Sequence, residues 1–144
     1  MAASRKAPAA LVDTKIPVQI KLSALWASVM LCYIYADYFG LYVPGALQKM
    51  LDGQMAPLGP TTQGILLGTS IMLAIPSLMI FLSVALRPKL NRWLNICFGI
   101  LYSLVILITM WAWAFYIFYG IVEIALTGLV VWYALSWPKE TPPP

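Results

Sequence analysis

Asp37 and Glu123 lie inside the long apolar runs of this 144-residue chain, and no lysine, arginine or histidine within those runs can neutralise them. A carboxylate in hydrocarbon is costly, so such a side chain normally faces a bundle interior or a wet cavity and marks a candidate functional site. Desolvation disfavours the charged form, and a second nearby acid disfavours it again. At least one of the two is therefore expected to hold its proton at neutral pH. Such a pair can bind a proton exchangeably or accept an organic cation. Tyr33 precedes Asp37 by one helical turn and can hydrogen-bond it. Tyr116, Tyr119, Gly120 and Thr127 share the helical face of Glu123. The candidate ligand- or proton-binding residues are thus Asp37, Glu123, Tyr33, Tyr116, Tyr119 and Thr127. Trp111 and Trp113, with Tyr116 and Tyr119, can supply cation–π contacts or simply anchor the chain at headgroup depth.

Other chemistry is absent. The chain has no histidine, which removes His-ligated haem and His-based general catalysis. It has no phosphate-binding glycine loop and no nucleophile elbow, and no metal ligand set or cofactor is expected. This argues against a conventional membrane enzyme, while an acid-catalysed isomerase remains open. Cys32 and Cys97 form no CxxC pair. They fall at different depths of different runs, beyond the roughly 7 Å between Cα atoms that a disulfide bridges.

The elements that must position these residues follow from hydropathy. The composition is 62% hydrophobic and only 10% charged, against about 25% charged in soluble domains. The apolar runs predict a single all-α membrane domain of four spans, at about 20–41, 63–86, 91–112 and 115–137. The last two come from one run too long for a single crossing, with its turn placed near 111–115. Tails over 1–15 and 139–144 are expected to be disordered. Arg5, Lys6, Lys15, Lys21, Arg87, Lys89, Arg92 and Lys139 fall on one side of this topology, and only Lys49 on the other. The positive-inside rule then makes both termini cytoplasmic. The same cations form no face that would read nucleic acid. Between spans one and two, Ala46, Leu47, Met50 and Leu51 repeat at helical spacing, with Pro44 before and Gly53 after. That pattern predicts a short interfacial helix.

Rows of small residues predict a compact four-helix bundle, because helices in lipid associate through close approach and polar contacts. The rows are Ala24-Ser28-Cys32-Ala36-Gly40, Gly64-Gly68, Asn91-Asn95-Gly99-Ser103, and Gly120 with Thr127 and Gly128. Asn91, Arg92 and Asn95 are expected to cap span three and meet headgroups. Pro76 interrupts span two and frees the carbonyl of Met72, giving a hinge, an exposed carbonyl or a packed kink.

Several of these residues carry a resemblance. Tyr35-Ala36-Asp37, Thr62-Gln63-Gly64 with Pro76, Asn91-Arg92-Trp93-Leu94-Asn95-Ile96, and Tyr116 with Glu123 and Trp132-Tyr133-Ala134 resemble a family of small bacterial four-span membrane proteins of unassigned function. The similarity covers about 20–138, and departs at the third turn, where Trp-Ala-Trp-Ala stands in place of a Gly/Pro turn. It implies a bacterial inner membrane and a four-helix bundle, and transfers no activity. Two functions are expected to compete. One is an outer-half acidic cavity that binds a small amphiphilic or cationic ligand, with proton-coupled transport as its extension. The other is a structural or accessory subunit that packs against itself or a larger membrane complex.

Overall fold

The structure, a computed structural model, describes residues 14–55 and 57–138. Its order is α1 (Val18–Gly40), α2 (Ala46–Leu51), β1 (Gln54–Met55), β2 (Gly59–Pro60), α3 (Gln63–Ala85), α4 (Pro88–Thr109) and α5 (Ala114–Leu135). The four long helices have 22 or 23 residues each. At 1.5 Å per residue they match a hydrocarbon core of about 30 Å. The expected tails lie outside the described residues, apart from Thr14 and Lys15. The α1–α3 and α4–α5 connections share one end of the bundle, the loop end. Both ends of the described chain and the α3–α4 turn lie at the other, the terminal end.

Local chemistry sets the boundaries. Thr62 caps α3 by accepting the Ile65 N–H at 3.2 Å. Pro88 occupies the first turn of α4 and holds Arg87 extended (ψ 143°), so α3 and α4 separate within two residues. The α4–α5 turn, which has no glycine or proline, closes by other means. The Trp111 indole donates to the Leu107 carbonyl at 2.6 Å, satisfying one of the last carbonyls of α4. Met110 then packs onto Gly120, where an added Cβ would come within 2.7 Å of Met110 Cβ. The short helix predicted between spans one and two is α2, entered through Gly45 at φ 79° and left through Gly53 at φ 69°. The two-residue ladder after it, β1 with β2, has no hydrophobic alternation and was not legible in the sequence.

Around the bundle, α3 packs on α1, α1 on α5 and α5 on α4. The α3 and α4 helices approach each other only sparsely. The core holds Leu22, Trp26, Met79, Tyr102 and Val130. On α1 the buried residues are Leu22, Trp26, Val29 and Ala36. The predicted row Ala24-Ser28-Cys32-Ala36-Gly40 is corrected accordingly: Ala24 is exposed, Ser28, Cys32 and Gly40 are half-buried, and only Ala36 is buried. Residues four apart rotate about 40° per step, so five of them cannot all meet one partner. Steps alternating between three and four hold a face. The α5 helix follows that alternation, burying Gly120, Glu123, Thr127, Val130 and Ala134. Gly64, Gly68 and Gly128 also depart from expectation, since an added Cβ at each meets no atom of a neighbouring helix within 4 Å. Gly99 does pack, with Val131 Cγ2 2.7 Å from where its Cβ would lie.

Candidate functional site

The polar residues inside the bundle separate into two groups by depth. Toward the terminal end, Asn95 Oδ1 accepts from Trp26 Nε1 at 2.8 Å and from Ser83 Oγ at 3.4 Å. Its amide donates to Asn91 O and Oδ1 at 2.9 and 2.7 Å, and Asn91 Nδ2 donates to Ser83 O at 2.6 Å. Asn91, Asn95 and Ser83 are all buried. The expectation that Asn91 and Asn95 cap the helix and meet headgroups is therefore corrected: they knit α1, α3 and α4. Arg92 alone turns to a helix end, donating Nε to Ala134 O near the last turn of α5 at 3.1 Å.

Pro76 is buried, and the carbonyl it frees, Met72 O, accepts the hydroxyl of Tyr102 from α4. Of the outcomes open to Pro76, the structure has the packed one: the proline is buried and its freed carbonyl is satisfied. Trp26 meets the Tyr102 ring edge-on, at a centroid separation of 5.9 Å.

Glu123 sits on α5 nine residues past its start, about 13 Å along the helix from the loop end. It is only 5% exposed. Among the described residues no hydrogen bond reaches its carboxyl and no lysine or arginine stands beside it. No fully buried side-chain nitrogen or oxygen there lacks a partner. The carboxyl oxygens therefore keep some accessible surface. Asp37, Tyr33 and Cys32, all on α1, lie within electrostatic reach of Glu123. Asp37 also acts on Tyr116. The two acids thus belong to one electrostatic neighbourhood at the same end of the bundle.

Asp37 is exposed on α1, and no hydrogen bond joins it to Tyr33 among the described residues. Tyr33 is half-buried and packs against the core cluster. Tyr116 lies over Gly40, whose missing Cβ leaves room for its hydroxyl. Thr127 is buried and already engaged, with its Oγ1 bonded to Glu123 O at 2.8 Å and paired with Ser103 Oγ at 2.7 Å. Tyr119 stacks on Phe39 and lines a recess of about 370 Å³ with Tyr42, Val43, Trp113, Phe115 and Phe118. That aromatic recess opens at the loop end, and neither acid lines it.

A family model described as "Family of unknown function (DUF6326)" matches residues 13–142. The chain belongs to that family. No curated protein and no solved structure matches it. Membership accords with the resemblance seen in the sequence and brings no activity with it. The chain is a small membrane protein by its four long apolar helices.

Trp26, Ser83 and Tyr102 organise the interior and were not among the sequence candidates. A tryptophan, a serine and a tyrosine in apolar runs are ordinary membrane-helix residues. The one available signal was Pro76, which announces a free carbonyl without naming its donor.

Proposed function

We propose that this protein binds a small amphiphilic or cationic ligand at Glu123 and Asp37, and that binding is coupled to a proton. The observation that carries this reading is Glu123, a residue only 5% exposed whose carboxyl has no hydrogen-bond partner among the described residues, while every fully buried polar side-chain atom there has one. A carboxyl left without a donor or a counter-ion has its full acceptor capacity free for a proton or a cationic group. The titratable and charged groups around it are Cys32, Tyr33 and Asp37 from α1 and, through Tyr33 and Asp37 respectively, Tyr102 from α4 and Tyr116 from α5.

The loop end faces outward on this reading. Lys15, Lys21, Arg87, Lys89 and Arg92 lie at the terminal end and Lys49 at the loop end. Under the positive-inside rule that distribution directs both termini to the cytoplasm of a bacterial inner membrane. The test is a thermal-shift screen of purified protein against organic cations, lipids and quinones near pH 5.5 and pH 8, with Glu123→Gln alongside. A ligand that stabilises the wild type in a pH-dependent way, but not the variant, is expected. Unchanged pH-dependent binding in the variant overturns the reading.

A second reading has its own support. Gly64, Gly68 and Gly128 present bare backbone to the outside of the bundle. Outward glycines suit close approach of another helix, as in a homo-oligomer or an accessory subunit of a membrane complex. A stoichiometric partner co-purifying in mild detergent, lost with Gly68→Leu, is the result that favours it.

A further inference from the structure

We infer that the aromatic recess at the loop end is a binding site for a quaternary ammonium group, carried by a small organic cation without a phosphate. It is a second site beside the Glu123 carboxyl, and it does not require Glu123 to bind anything.

The recess forms where the end of α1 meets the start of α5. Phe39 and Tyr42 line it together with Trp113, Phe115, Phe118 and Tyr119, around a volume of about 370 Å³. Small-molecule sites span about 300–1,000 Å³. The rings are not one flat stack. Phe115 meets Phe39 at 62° and Phe118 meets Tyr119 at 73°, while Tyr119 lies at 25° to Phe39. None of these side chains carries a charge, and the face of an aromatic ring attracts a cation within about 6 Å of its centre. The protein uses this attraction at its terminal end, where Lys21 Nζ lies 5.1 Å from the centre of the Tyr133 ring. Among the described residues no lysine or arginine does the same at the loop end.

Charge and hydrogen bonding narrow the occupant. From Leu22 to Gly40 and throughout α5, the only charged residues are Asp37 and Glu123. Asp37 precedes Phe39 by two residues and is exposed, and Glu123 follows Tyr119 by one helical turn. The two helices that form the recess thus set acids, and no cation, beside it. Lys49, the cation of the loop end, lines a different recess with Gln54, Pro57 and Gly59. A phosphate would meet these acids with no lining cation to balance it, so a zwitterionic phospholipid headgroup is a poor fit. A primary ammonium fits poorly for another reason. The carbonyls of Phe39, Val43 and Trp113 already accept the N–H groups of Tyr42, Ala46 and Tyr116, at 3.0, 2.9 and 2.9 Å. The Tyr42 hydroxyl is paired with that of Tyr38 at 2.9 Å. A primary ammonium has three N–H donors to satisfy and would give up water for a mostly apolar wall. A quaternary ammonium has no N–H to strand and presents only carbon to the rings.

The test uses full-length protein in uncharged maltoside micelles at neutral pH, with binding read by saturation-transfer NMR of the ligand. The probes are choline, its neutral isostere 3,3-dimethylbutan-1-ol, ethanolamine and phosphocholine. Saturable choline binding, roughly 5- to 30-fold tighter than that of the isostere, is expected from ring faces acting on a partly desolvated cation. Equal binding of the two overturns the proposal and makes the recess an ordinary apolar surface, and so does a lack of saturable choline binding. Ethanolamine and phosphocholine are each expected to bind several-fold more weakly than choline. Ethanolamine as tight as choline overturns the quaternary class, and phosphocholine as tight as choline reassigns the recess to a phospholipid headgroup. Trp113→Leu and Phe118→Leu keep apolar bulk and remove a π face at exposed positions. Each is expected to weaken choline several-fold while leaving the isostere unchanged, a difference that a folding defect would not produce. Unchanged choline binding in both overturns the location. Glu123→Gln is expected to keep its choline binding. Loss there, with binding retained in the two ring variants, moves the cation to Glu123 and overturns the recess alone.

Discussion

At the terminal end of the bundle, Trp26, Ser83, Asn91 and Asn95 meet each other's donors and acceptors until the group is closed. Toward the loop end, Glu123 is also withdrawn from the surface, but no donor or cation meets it among the described residues. The helices α1 and α4 run through both regions, so the difference comes from side-chain identity and from α3. Past Pro76, α3 makes hydrogen bonds to other helices through Ser77, Ile80 and Ser83; before it, the one such bond among the described residues is at Met72 O. One half of the bundle uses buried polarity to fix helices, and the other holds a polar group that no side chain meets among the described residues. A closed network rigidifies a core, whereas an open polar group costs stability.

The terminal-end network is most sensitive at Asn95. Asn95→Leu strands the Trp26 indole, the Ser83 hydroxyl and Asn91 at once, and is expected to cost about 2–4 kcal/mol. Chemical unfolding in detergent, followed by tryptophan fluorescence, measures it. Gly99→Ala comes next, because its Cβ would sit 2.7 Å from Val131 Cγ2 and 3.4 Å from the Thr127 carbonyl. Pushing α4 off α5 is expected to cost about 1–3 kcal/mol, read as a lower melting temperature. Tyr102→Phe leaves Met72 O without its donor and is expected to cost about 1 kcal/mol. Faster amide hydrogen exchange confined to Gln63–Ile75 is the signature that separates it from a global loss. Gly128→Ala sharpens the contrast from the other side. It meets nothing within 4 Å, so a neutral effect, or a gain of up to about 1 kcal/mol from helix propensity, is expected in the isolated protein. A loss together with a change in oligomer size would instead assign that face to a partner.

Much of this was legible in the sequence, for identifiable reasons. The four spans are visible because hydrocarbon requires about 20 consecutive apolar residues. The short helix α2 is visible in the spacing of Ala46, Leu47, Met50 and Leu51 between Pro44 and Gly53. Glu123 was legible as an interior acid because charge is so rare in these runs. The packing faces were less so. A row of small residues four apart looks like a stripe on paper but winds around the helix, which is why Ala24 is exposed while Leu22 and Trp26 are buried. Which partner completes a polar group depends on contacts between distant residues, such as Trp26 with Asn95 or Tyr102 with Met72. No local pattern encodes those pairings. Asp37 marks the same limit: its helical position was clear, but its exposure was not.

The most direct measurement compares the unfolding stability of the wild type, Glu123→Gln and Asn95→Leu in the same detergent at neutral pH. If Glu123 is held open for a ligand and Asn95 serves the fold, Glu123→Gln should be as stable as the wild type or more so, and Asn95→Leu clearly weaker. A loss in Glu123→Gln as large as that in Asn95→Leu would make the acid one more structural link and remove the distinction between the two halves.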